Sequence, residues 1–341
     1  MLHPRLPGLL LVTTLILFLY SQRTSLATHI NQLSWQVERR IVDWNWKDTP
    51  EEKLCRATDH TTPKHSKNAI PNIVHFILLA REGAELDLTY AQYLAIKAAL
   101  LRMDATQVKV HTNGIDATNK WWRDVAPKVV LETVDTTGIL DHHGVPIANM
   151  DLPHQTDILR IAILLREGGI YMDTDVYALK PFTDLLNSPR DTLMGHEGGN
   201  HYGLCNAVIV SRPGSDFLVK WQKTYTTFDP KKWNEHSVLM PKKLQVRYPE
   251  LLCPLSPSVF FWPTWGKDHI RYMHEPTSPA DVDALLHNMT VFDGAMYENQ
   301  LAIHAWSTSS KEHLRQLSPE FVMGTDTRFN VLLRDVANAA L

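Results

Sequence analysis

Cysteine is scarce and unpatterned. The three in 341 residues, Cys55, Cys205 and Cys253, lack the short paired spacing of a zinc site or a dithiol redox motif. At most one disulfide can form, and three small buried apolar residues are the plain alternative. An excess of positive charge is missing too: the net charge is −3, so no basic field exists to hold a nucleic-acid backbone, which excludes nucleic acid as the main partner. No phosphate-cradling glycine motif opens the apolar half that begins near Ile70, and the pair Gly168-Gly169 follows a helical pattern as a left-handed stop. A dinucleotide oxidoreductase is therefore a poor fit. Internal repeats and low-complexity tracts are absent.

Long hydrophobic runs are also lacking, with one short exception at the N-terminus. "LPGLLLVTTLILFLY" after Arg5 holds fifteen uncharged, mostly apolar residues, and as a helix it reaches about 22 Å against a hydrocarbon core of about 30 Å. Residues 1–27 read as a signal anchor suited to thin early-secretory membranes, or as a signal peptide cleaved after the small-x-small pair Ser25 and Ala27. The expected topology is single-pass type II, with the remainder in the Golgi or ER lumen. Secretion after cleavage is the alternative. The sequon Asn288-Met289-Thr290 fits a lumenal glycoprotein.

What is present is ordinary globular material, 44% hydrophobic and 21% charged, enough for a substantial core. Residues 28–69 are polar with scattered tryptophans and read as a stem or lead-in; residues 70–341 read as one catalytic domain. "IVHFILL" suits a strand buried on both faces, and "LTYAQYLAIKAALLR" carries apolar residues at helical spacing. "QVKVHTNG" reads as a strand ending in a turn, "NKWWRDV" as a short helix and "KVVLETV" as a third strand. This alternation predicts an α/β class with a doubly wound, mostly parallel sheet whose N-terminal half binds a nucleotide.

The chemistry concentrates in "TDILRIAILLREGGIYMDTDVYALKPF". A helix over 154–167 places Ile158, Ile161, Ala162 and Leu165 on one face and Asp157 with Arg160 on another. Taken alone, that pair is a common surface ion pair. A strand "IYM" follows, then Asp173-Thr174-Asp175, and an extended chain aims both carboxylates the same way at a strand's carboxyl end. Two like charges so close need a cation or a set of donors between them.

With "IPNIVHF" before it and "IHAWSTSS" after it, this segment resembles the family 32 glycosyltransferases, which carry a DXD sugar-binding region and are related to the sugar-transferring domains of large clostridial toxins. The resemblance covers roughly residues 70–310, with Leu78 and Ser310 where the family often has tryptophan. It implies a GT-A fold and a retaining hexosyltransferase that takes mannose or galactose from a nucleotide-diphosphate sugar to a glycan or glycolipid hydroxyl. It also implies a divalent cation, Mn2+ first and Mg2+ second, both matched to oxygen ligands and phosphates. By the same resemblance, Asp173 and Asp175 are the catalytic and metal-binding carboxylates and His304 returns to the metal. Asp157, Arg160, Asp173 and Asn206 contact the donor, and Glu197 lies on the donor and acceptor side. A nucleotide-sugar hydrolase and a catalytically silent sugar-binding scaffold are the competing readings.

Overall fold

The computed structural model describes residues 49–56, 69–81, 83–139, 147–199 and 201–341, so the apolar N-terminal run and most of the lead-in lie outside the described residues. Nine strands are described: β1 (Ile73–Leu78), β2 (Gln107–Thr112), β3 (Val130–Thr133), β4 (Gly169–Met172), β5 (Val176–Ala178), β6 (Thr192–His196), β7 (Leu204–Ser211), β8 (Leu252–Leu255) and β9 (Ala302–His304). Seven of them form one sheet in the order β3-β2-β1-β4-β7-β6-β8, and β5 pairs with β9 apart from it. The β1–β2, β2–β3, β1–β4 and β6–β8 pairings are parallel, while β7 runs antiparallel to both β4 and β6. This is the expected α/β class with a mostly parallel, doubly wound sheet.

Both faces of the sheet are covered, which is why its strands carry unbroken apolar runs. Along β1, Val74, Phe76 and Leu78 enter one core and Ile77 enters the other. The first core is closed by the helix α2 (Tyr90–Arg102), opened by a Thr89–Gln92 capping box. The second is closed by α4 (Leu152–Glu167) and α5 (Asp216–Thr224), whose Phe217 and Trp221 are fully buried. Ahead of the sheet in the chain lies α1 (Pro50–Arg56), and between α2 and α4 the helix α3 (Lys120–Val125) starts at the expected "NKWWRDV", capped by Asn119 on the amides of Trp121 and Trp122. Strand β3 is the sheet edge and leaves Leu131 50% exposed.

Four sequence expectations change. Helix α4 starts at Leu152, two residues early, because Pro153 fits the first helical turn where its missing N–H costs nothing. Its deepest apolar residues are Leu159, Ile161, Ile163 and Leu164, whereas Ile158, Ala162 and Leu165 are only half-buried. The helix is enclosed on most sides, so its sequence carries no clean stripe. Asp173-Thr174-Asp175 is a turn, not an extension of β4: the amide of Val176 donates to Asp173 O at 3.0 Å. Finally, the lead-in is partly integral to the fold, since α1 packs on β8 with Glu52 2% and Cys55 5% exposed. All three cysteines are buried, as the plain reading had it.

No helix among the described residues is long and apolar enough to cross a membrane. The sequon asparagine Asn288 lies half-buried in the last turn of the helix Pro279–Val291, where Thr290 Oγ1 donates to Leu286 O at 2.9 Å.

Candidate active site

The chain order places β1 beside β4 while β2 and β3 extend the other way, so the sheet reverses its winding between β1 and β4. Ligands of open α/β sheets bind at the carboxyl ends of strands flanking such a point. Two glycines set this geometry. Gly168 (φ 67°) ends α4 and Gly169 (φ 102°) starts β4, and a Cβ on Gly169 would lie 2.5 Å from Ile73 O. Strand β4 then delivers Asp173 at its end, next to Ile77, Leu78 and Leu79 in the lining of a cavity of about 890 Å3. That volume suits a ligand of nucleotide size.

Asp157 and Arg160, one turn apart on α4, are both buried at 8% and 3% exposure, so the surface-pair reading does not hold. Arg160 Nη2 lies 3.1 Å from Asp157 Oδ1 and its Nη1 3.2 Å from Asp173 Oδ1. The same guanidinium donates from Nη1 to Asn206 O at 2.8 Å and from Nε to Thr156 O at 3.1 Å, and its plane covers the Tyr171 ring at 4.5 Å. Asn206, from β7, donates its amide to Asp157 Oδ1 at 2.7 Å. Donors thus surround the carboxylates, as their spacing required, and a buried charged cluster is tolerable because every member is paired.

Asp175 belongs to a second half of the site. The pairing of β5 with β9 sets Val176 opposite His304, and the amide of Ala305 donates to Asp175 O at 2.8 Å. His304 Nε2 then lies 3.2 Å from Asp175 Oδ1, and the Ser307 amide donates to Asp175 Oδ2 at 2.7 Å. Ser307 can do so because Trp306 adopts φ 56°, an outlier for a bulky residue that is the kind of strain found at functional sites. Trp306 is held there by its indole, which donates to Pro263 O at 3.0 Å.

The electrostatics separate the two aspartates. Burial pushes Asp173 up, the Asp175 charge adds to it and Arg160 opposes both, leaving the carboxyl raised. Burial pushes Asp175 up as well, but His304 and the Ser307 donor outweigh it and hold that carboxyl well below the usual range. His304 is raised in turn: burial lowers it, and the carboxylates of Asp175 and Asp173 more than compensate.

Asp173, Asp175 and His304 each offer one ligand atom, all within 4.8 Å of one another. Two carboxylate oxygens and an imidazole nitrogen form a donor set that suits Mn2+ or Mg2+, so the residues fit a divalent cation. Glu197, at the end of β6, also lines the cavity; burial pushes its carboxyl up, and Trp265 Nε1 donates to its Oε1 at 2.9 Å.

All the sequence-derived site residues, Asp157, Arg160, Asp173, Asp175, Asn206, Glu197 and His304, line this one cavity. The sequence did not point to Tyr171, whose hydroxyl donates to Asp173 Oδ1 at 2.5 Å, nor to Ser307, nor to Trp265. Nor did it single out Trp233, a rim residue 61% exposed with its ring 5.6 Å from that of His154. Tyr171 had a readable signal, since a residue two before Asp173 on a strand shares its side. The others have none, because they come from loops distant in the chain.

Residues 108–194 match the family described as "Glycosyltransferase sugar-binding region containing DXD motif". The chain is 32% identical over 284 residues to glucan organizing enzyme 1 of Cryptococcus neoformans var. grubii, covering 80% of this chain and 72% of that one. It is 37% identical over 65 residues, 18% of its length, to a tenth of subversion of eukaryotic traffic protein A of Legionella pneumophila. Among solved structures, the PaToxG glycosyltransferase aligns with a TM-score of 0.42 at 12% identity, over 92% of this chain and 98% of that one. The glycosyltransferase GlyE of Streptococcus pneumoniae aligns with a TM-score of 0.43 at 12% identity, over 79% and 61% respectively.

Proposed function

Because this chain belongs to the glycosyltransferases whose sugar-binding region contains a DXD motif, we propose that it transfers a hexose, mannose or galactose first, from a nucleotide-diphosphate sugar to a hydroxyl of a glycan or glycolipid, with retention at the anomeric carbon. The observation that carries this reading is the convergence of Asp157, Arg160, Asp173, Asp175 and His304 on one cavity of about 890 Å3 at the switch point of a GT-A-type sheet. Asp173, Asp175 and His304 would hold the cation, Mn2+ before Mg2+. Bound there, such an ion supplies Lewis-acid neutralisation of the diphosphate leaving group.

The protein's own groups do the rest. Arg160 fixes Asp157 and Asp173 in place, and Asn206 orients Asp157 toward donor hydroxyls through its amide. Ser307 and Trp306 keep Asp175 from rotating. The exposed indole of Trp233 at the rim offers an apolar face on which an acceptor sugar can stack, consistent with a glycan acceptor.

Retention is supported by what the cavity's carboxylates are occupied with. Asp157, Asp173 and Asp175 are engaged with Arg160 and His304, and Glu197 Oε1 accepts from the Trp265 indole at 2.9 Å, so each of these cavity carboxylates already has a partner. The acceptor oxygen then bonds to the anomeric carbon on the face the diphosphate leaves, and the acceptor's proton passes to a departing phosphate oxygen. No glycosyl-enzyme forms. NMR of the first product should show the donor's α configuration preserved, and mass spectrometry of enzyme with donor should show no sugar adduct. An inverted product removes the retaining route, and an adduct on Glu197 replaces it with double displacement. Release of free sugar at the same rate with and without acceptor points to a hydrolase instead.

We place the enzyme in the secretory lumen, on the strength of the apolar run after Arg5 and the sequon at Asn288. Edman sequencing of the purified protein reads the difference between an anchored chain and one that starts at Thr28.

A further inference from the structure

We propose that Glu52, His196 and His201 form a second divalent-metal site, of the zinc class, between the lead-in helix α1 and the loop that follows β6. Each of the three offers one ligand atom, and these atoms all lie within 4.8 Å of one another. They share no residue with the cluster of Asp173, Asp175 and His304. Two imidazoles and one carboxylate form a donor set typical of zinc, with a fourth position left for water.

Four features indicate a built site. The first is that Glu52 and His196 are each only 2% exposed, and His201 is half-buried above them. Glu52 is also held in orientation: its Oε2 accepts the Thr49 amide at 2.7 Å, while its own amide donates to Thr49 Oγ1 at 3.2 Å, a reciprocal cap on α1. His196 Nδ1, in turn, is buried without a hydrogen-bond partner among the described residues, an arrangement that is costly unless something fills it. The fourth feature is His201, which adopts φ 53°, a strained conformation for a residue other than glycine, and its ring stacks on His196 at 4.1 Å with the planes 9° apart. A turn held by the His201 amide on Gly198 O, at 2.9 Å, maintains that pose.

An ion here would tie the lead-in to the residue immediately before Glu197 and so brace one wall of the donor cavity.

The test uses the full chain carrying Asp175→Asn and His304→Ala, which disables the other cluster. After stripping with a chelator, Zn2+ is titrated in competition with a chromophoric chelator, and Co2+ uptake is followed by visible absorption. One equivalent of Zn2+ is expected, with Co2+ bands of a four-coordinate nitrogen and oxygen site. Adding His201→Ala, or separately the near-isosteric Glu52→Gln, should weaken Zn2+ binding by at least about tenfold. Glu52→Gln keeps the acceptor for the Thr49 amide, so it reads the ligand role even if the alanine variant folds poorly. Absence of Zn2+ uptake by the parent chain overturns the proposal, and so does unchanged affinity in either variant.

Discussion

Arg160 is the residue on which the proposed donor side depends, because one buried guanidinium reaches Asp157, Asp173 and the backbone of β7 at once. Arg160→Met removes it and leaves the buried Asp157 and the half-buried Asp173 without their counter-charge, which should cost about 3 kcal/mol of stability. Urea unfolding measures this, and a variant as stable as the parent would show that the network is incidental. Arg160→Lys should recover part of the stability but little of the transfer rate, since a point charge cannot repeat the forked contacts. Asp175→Asn is the complementary case: its partners are His304 and a backbone amide, so the protein should stay folded while Mn2+ no longer raises its melting temperature in the presence of nucleotide diphosphate. An undiminished Mn2+-dependent shift in the folded variant would remove Asp175 from the proposed metal site. Asp157, Arg160, Asp173 and Asp175 were legible in the sequence because they fall within one continuous segment. His304 was legible only through the family resemblance, and Ser307 not at all, since its contribution is a backbone amide that any residue could supply.

The helix stop at Gly168-Gly169 shows which elements the sequence announces and which it conceals. A Cβ on Gly168 would lie 2.6 Å from Pro213 Cδ, and one on Gly169 2.5 Å from Ile73 O, so neither position admits a side chain even apart from its positive φ. Gly169→Ala should therefore lose more than about 2 kcal/mol in urea unfolding, with activity falling alongside as β4 shifts Asp173. A loss of a few tenths would mean that the backbone there relaxes freely. Strand β1 was readable from a continuous apolar run, helix α2 from apolar residues at helical spacing and strand β2 from the segment leading into its turn, for each runs over six residues or more. The β5–β9 pair was not, because three residues are too few to establish a period. The apolar face of α4 was misjudged for a related reason: a helix enclosed by a sheet and a second helix buries polar and apolar residues alike, so its stripe is blurred. The Asp-Thr-Asp turn escaped because nothing local distinguishes a strand's last extended residue from the first of a turn.

At the scale of the whole molecule, burial lowers six histidines among the described residues, His75, His111, His196, His201, His236 and His274, three of them to about 4 or about 3. His75 and His111 are hydrogen-bonded across β1 and β2 at 3.0 Å, and because His75 Nε2 donates to Gly168 O at 2.9 Å, its Nδ1 must accept from His111. Protonating that nitrogen breaks the chain of bonds behind the active-site glycines. A histidine whose folded pKa lies below its unfolded value binds fewer protons folded than unfolded, so its contribution is full above pH 6.5 and is lost as pH falls toward 4 and then 3. Glu197, Asp173 and His304, all raised, act in the opposite sense but are outnumbered by the lowered rings. Unfolding free energy should thus rise with pH from about 4 to about 6.5 and stop rising above, and a flat profile across that interval would show that these rings are already solvated. The pairing of Val176–Ala178 with Ala302–His304 has a temporal consequence as well. During synthesis the segment bearing Asp157, Arg160, Asp173 and Asp175 leaves the ribosome long before the one bearing His304 and Ser307, so a nascent chain first holds half of the proposed reaction centre. That centre can close only once the chain has emerged past Ser307, and a message truncated anywhere before residue 304 lacks the partner strand of β5 and never closes it.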